Sequence, residues 1–195
     1  MATKGELSRE RILDCARALF SEKGYSSVTM QDLCAATGLS RGGLYRYYPS
    51  TEAIFVAILE QEQADAHGAL DRARAGGVAP RRMLDTFLRA RLDRLTAPGN
   101  HFDNAISEFA ANSAAGRSLL IRRAEDSIRI VAEMIRLGCA AGDFHCGDPE
   151  ATAAHIIWLL EGMAKHRALL PLTPNDTAAQ LKLLQALLEP VPGEN

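Results

Sequence analysis

Cysteine is scarce in this chain of 195 residues: there are four. They stand at positions 15, 34, 139 and 146, with no C-x-x-C pair among them. The spacings match no zinc pattern. Cys15 and Cys34 fall on apolar stripes and read as small core residues. Cys139, His145, Cys146 and His155 could be gathered into a metal or thiol sensor, and a regulator responding through the Cys139–Cys146 region is the alternative reading.

Long apolar runs are absent as well. Nothing approaches a membrane span, and the start MATKGELSRER lacks the apolar core of a signal peptide. A cytoplasmic location and no membrane partner are expected. Charge of one sign is also missing, since the formal net charge is −2. Split at residue 50, however, the charge separates. Residues 1–50 hold seven Lys/Arg against five Asp/Glu, and residues 51–195 hold fifteen against nineteen. A mildly basic head on an acidic body suits a polyanion at one end only.

Catalytic signatures are missing too. There is no G-x-S-x-G elbow, no H-E-x-x-H and no phosphate loop. His67, His155 and His166 could meet carboxylates, but no spacing singles them out. An enzyme is not expected, and neither is a cofactor or a resident metal. Internal repeats and low-complexity tracts are absent.

What is present is a helix-turn-helix pattern from Thr29 to Tyr48, TMQDLCAATGLSRGGLYRYY. Thr29 is a side-chain acceptor at a helix start, and Asp32 stands three residues on, where it can reach back. Met30, Leu33 and Cys34 make one apolar stripe. Gly38 supplies the left-handed backbone of a tight turn. Leu39 plugs between the helices and Ser40 caps the second. That second helix turns Leu44 and Tyr48 inward and carries Arg41, Gly42, Gly43, Tyr45, Arg46 and Tyr47 outside.

From Ser40 to Tyr48 there is no acid, although a first helical turn would ordinarily favour one. An acid there would repel phosphate. The glycines allow close approach, and Arg41 and Arg46 can reach phosphates or guanine edges. The helix is built to enter a major groove of double-stranded DNA. Thr29, Tyr45, Tyr47 and the backbone opening the next helix would fix register on phosphates. Lys4 and Arg9 read as a solvated tail.

Further helices are predicted over Ser8–Lys23, from Glu52 to about Gly76, Arg82–Leu95, Phe102–Asn112, about Arg117–Ala141, Glu150–Leu169 and Asp176–Leu188. The chain is read as all-α: a DNA-binding domain over 1–50 and an effector-binding and dimerisation domain over 51–195. Glu150–Leu169 is apolar nearly all round, and the last helix has a leucine edge. A homodimer through Ile157, Trp158, Leu181, Leu184 and Leu188 is expected.

Gly24-Tyr25, Thr29, Asp32, Gly38, Ser40, Gly42, Leu44-Tyr45, Tyr48, Ser50 and Glu52 together resemble the N-terminal signature of TetR-family transcriptional regulators. The resemblance covers about the first third of the chain. Val28 stands where threonine is frequent, Cys34 and Thr37 where alanine is usual, and Tyr47 where histidine is common. Thr51 replaces a phosphate-contacting lysine. The resemblance implies a repressor released from a palindromic operator by a small molecule, bound among the helices between residues 52 and 141. Phe87, Arg91, Phe102, Ile106, Phe109 and Ile128 are candidate walls, with Trp158 near the base. His67, Asn104, Glu108, Asn112 and Glu125 are candidate polar contacts. The aromatic walls favour a mainly apolar effector.

Overall fold

The computed structural model of the chain describes residues 4–97, 102–145, 147–167 and 169–189, with only the backbone of residues 4–8. Among the described residues every regular element is an α-helix: α1 Lys4–Lys23, α2 Met30–Thr37, α3 Arg41–Tyr45, α4 Thr51–Ala75, α5 Pro80–Thr96, α6 Phe102–Asn112, α7 Ala114–Ala141, α8 Pro149–His166 and α9 Pro174–Ala186. The Pro98–Asn100 turn, His101 and Cys146 lie outside the described residues. No described helix is long and apolar enough to cross a membrane.

The helix ends follow local chemistry. The Thr29 hydroxyl accepts the Asp32 N–H, and the Asp32 carboxylate accepts the Thr29 N–H at 2.9 Å. Thr173 and Asp176 make the same reciprocal pair at α9. Gly24 and Gly38 take φ of 78° and 71°, and their N–H groups close onto Phe20 and Cys34 carbonyls at 3.0 Å. Asp148 caps α8 through the Ala151 N–H, and Pro149 fills its first helical position.

The chain divides into two compact units. Unit 1 takes residues 1–65 and 99–120; unit 2 takes 66–98 and 121–195. This differs from the expected division at residue 50. The physical reason is apolar area. Helices α2 and α3 together bury only Leu33, Thr37 and Leu44, too little for a core of their own. The first half of α4 supplies Ile54, Phe55, Ile58 and Leu59, and α6 supplies Phe102, Ala105 and Phe109. Phe55 sits among rings, with centroids of Phe20, Tyr25, Phe109 and Phe102 at 4.8, 4.9, 5.0 and 5.3 Å. Arg17 lies over the Phe102 ring, 4.4 Å from its centroid, and pairs with Glu62.

Unit 2 has a separate core. Leu84, Leu88 and Leu92 of α5 meet Val131 and Ile135 of α7, Ile156, Ile157 and Leu160 of α8, and Leu181, Leu184 and Leu188. Ile157, Leu181, Leu184 and Leu188 are buried within the single subunit. The exposed large apolar side chains on α8, on α9 and at the α9 C-cap are Trp158, Leu183 and Leu187, at 69%, 60% and 47%. Leu183 and Leu187 form the neighbouring stripe of α9, one residue out of phase with the expected edge.

Candidate nucleic-acid interface

The site is the outer surface of α3 with the helix starts beside it. Ser40 ends the turn in extended backbone, and its Oγ accepts the Gly43 N–H at 3.1 Å. Leu44 is fully buried and anchors the short helix to unit 1. That fixes which face remains outside: Arg41, Gly42, Tyr45 and Arg46 are exposed, while Gly43 and Tyr47 are half-buried. Tyr48 is also half-buried, and burial raises its hydroxyl pKa above the ordinary tyrosine value.

The two arginines are held over aromatic faces. The Arg41 guanidinium lies 5.5 Å from the Tyr45 ring centroid, and that of Arg46 lies 5.4 Å from Tyr47. Neither arginine pairs with a carboxylate among the described residues. Stacking limits their rotamer freedom while leaving every guanidinium N–H available. The two glycines have different surroundings. A Cβ on Gly43 would come 3.2 Å from the Ser40 Oγ, so a side chain there would press on the cap. A Cβ on Gly42 would meet nothing within 4 Å. The fold places nothing against Gly42, and the bare backbone there faces open space.

Thr29 is drawn into its own cap. Its hydroxyl serves both the Asp32 N–H and, at 2.5 Å, the Asp32 carboxylate. The Asp32 carboxylate also takes Lys23 Nζ at 3.0 Å. The Thr29 side-chain and backbone hydrogen bonds, followed by Lys23, hold the Asp32 carboxyl well below the usual carboxylate range. Thr51 is half-buried at the first position of α4. Ser50 caps that helix by accepting the Ala53 N–H on Oγ at 3.1 Å, and among the described residues the preceding N–H groups of α4 meet no backbone acceptor.

The residues expected around an effector are not gathered within either unit. Phe102 and Phe109 are fully buried in the unit 1 core, and Ile106 packs against it. Glu108 and Asn112 hydrogen-bond Ser26, at its N–H and Oγ. Phe87 and Ile128 pack on the unit 2 core, Arg91 pairs with Glu161 at 2.6 Å, and Glu125 is exposed. Unit 2 instead has a surface groove of about 320 Å³ between α5 and α9, bordered by Arg89, Leu92, Asp93, Leu181 and Lys182. Arg89, Asp93 and Lys182 on its border are exposed and lie on no distinctive stripe, so the sequence carries no signal for it. Cys139 packs on the unit 2 core. Among the described residues no three His, Cys, Asp or Glu side chains gather as a metal site.

Capped α2, a left-handed glycine, capped α3 and an acid-free outer face define an all-α protein with an N-terminal helix-turn-helix head. Residues 12–58 match the model for bacterial regulatory proteins of the tetR family. The HTH-type transcriptional regulator UidR of Escherichia coli is 41% identical over 66 residues, 34% of each chain, so the chain spans about a third of that relative. The HTH-type transcriptional repressor KstR of Mycolicibacterium smegmatis is 32% identical over 123 residues, covering 62% of this chain and 60% of that one. The regulatory protein TetR from Rhodobacter sphaeroides shares the fold, with TM-score 0.74, 22% identity, and coverage of 94% and 100%. Residues 12–58 of the chain are thus similar to the N-terminal segment of tetR-family regulators, and the rest shares their all-helical fold.

Proposed function

We propose that the protein is a DNA-binding transcriptional regulator working in the cytoplasm as a homodimer, a repressor released from a palindromic operator by a small, mainly apolar molecule. The observation that carries this reading is the outer face of α3: two arginines without carboxylate partners, stacked on tyrosines, flank a glycine in front of which the space is open. Arg41 and Arg46 reach base edges or phosphates, while Gly42 lets the groove wall approach the helix backbone. Tyr45, Tyr47 and the N–H groups opening α4 around Thr51 set register on the DNA backbone. Gly43 and Ser40 keep the cap that presents the helix. Thr29 acts through its cap, since its hydroxyl is already engaged by Asp32.

Trp158, Leu183 and Leu187 are the apolar groups that a second copy would cover, giving a four-helix junction across a two-fold axis. Two heads so related match two half-sites about one helical turn of DNA apart. The effector acts by binding better to the state in which that spacing is lost. The test is selection of duplexes from a random pool by the full chain. Recovery of an inverted repeat supports the reading; recovery of unrelated sequences at background affinity refutes it.

A further inference from the structure

Away from α3, unit 1 holds a polar clasp that packing alone does not require. It joins α6 to the turn between α1 and α2. Glu108 Oε2 accepts the Ser26 N–H at 2.9 Å. One helical turn on, Asn112 donates through Nδ2 to Ser26 Oγ at 3.1 Å. Ser113, just past the helix, hydrogen-bonds Glu52 Oε1 on α4 at 3.3 Å. Between these contacts the Tyr25 ring lies 5.0 Å from Phe109 and 4.9 Å from Phe55.

Gly24 shows how closely the clasp fits. Its φ of +78° already disfavours any side chain, and a Cβ there would stand 2.7 Å from Glu108 Oε1 and 3.0 Å from Oε2. The carboxylate fills the space in which a side chain would begin. The turn is thus shaped by its own backbone and by a group 82 residues away in sequence.

The turn leads directly into the recognition elements. On one flank Lys23 ends α1, and on the other Asp32 caps α2; the two side chains are ion-paired at 3.0 Å. A displacement of Gly24–Ser26 is therefore passed to α2 and, through Gly38, to α3. Helix α6 comes from residues 99–120, and the chain runs on from both ends of that segment into unit 2.

We propose that Glu108, seated on the Gly24–Ser26 turn, is the positioning residue through which α6 sets the placement of α2 and α3, so that operator affinity depends on whether this clasp is closed. The proposal rests on α3 being the DNA-reading helix.

The experiment uses the full chain and a duplex that the wild type selects from a random pool. Affinity for that duplex and for an unrelated one is measured beside thermal unfolding, for Glu108→Ala, Glu108→Gln and Asn112→Ala. Glu108→Ala is expected to weaken the selected duplex about tenfold, equivalent to about 1.4 kcal/mol. Binding to the unrelated duplex, governed by phosphate charge, should change less than about twofold. Glu108→Gln, which removes the charge and keeps an acceptor, should retain most of the selectivity, and Asn112→Ala should lose part of it.

Equal loss on both duplexes, accompanied by a lower melting temperature, would make the clasp a folding contact only and overturn the proposal. An unchanged Glu108→Ala variant would overturn it as well. A second measurement needs no DNA. Gly24→Ala should cost less stability in a Glu108→Ala background than alone, because the oxygen that meets the new Cβ is gone; additive losses would count against the clasp. If the wild type selects no duplex at all, the DNA-binding reading fails first, and the clasp loses its role with it.

Discussion

Asp32 is a half-exposed carboxylate whose pKa the fold lowers strongly, and its partners explain why. It accepts hydrogen bonds from the Thr29 N–H and hydroxyl and from Lys23. A carboxyl depressed in the folded state contributes stability above its ordinary pKa of about 3.9. That contribution is lost as pH falls from there toward the folded-state value. Asp176, lowered by Thr173 in the same way, adds to the effect at α9. Melting followed by circular dichroism should show stability falling below about pH 4. Asp32→Asn should flatten part of that fall. An identical acid limb in wild type and variant would deny the cap this role. At Thr51 the expectation concerns salt. Thr51→Lys adds a cation at the α4 start in each subunit, so a bound dimer gains about two phosphate contacts. The slope of log K against log salt should steepen by about 2 units on operator and unrelated DNA alike. An unchanged slope would place residue 51 away from phosphate.

At the scale of the element, the decisive helix is α6. Its Phe102, Ala105 and Phe109 complete the core that α2 and α3 cannot make. Phe109→Ala should therefore cost about 3–5 kcal/mol, measured by urea unfolding. A loss below about 1 kcal/mol would mean the aromatic cluster is not what holds unit 1 together. Helix α6 was legible as a helix, bounds included, because its apolar spacing is clear. Its partner was not legible. Nothing in Phe102 or Phe109 says that Phe55 and Tyr25 are their neighbours, since that pairing joins segments far apart in sequence. The caps at Thr29, Gly38 and Ser40 were legible because each acts within three or four residues. Helix α9 shows the opposite limit. Leucines at 181, 183, 184, 187 and 188 allow two stripes, and only packing decides that Leu181, Leu184 and Leu188 face inward. Replacing Leu184 by Glu should accordingly destabilise the subunit itself. Replacing Trp158 by Glu should give folded, soluble monomers by sedimentation; a stable dimer would move the interface elsewhere.

At the scale of the whole molecule, one chain carries a helix-turn-helix head and a unit with its own core, with an exposed apolar set on α8 and α9. In the proposed function the outer face of α3 reads DNA sequence. Arg41 and Arg46 point away from the core, so replacing either by alanine should leave the fold intact. The most direct measurement is the affinity of wild type, Arg41→Ala and Arg46→Ala for the selected duplex and for each of its single-base variants. At least one replacement is expected to cost about 1–3 kcal/mol and to erase preference at one position in each half-site. Unchanged affinity at moderate salt for both variants, with wild-type preferences retained at every position, would contradict it.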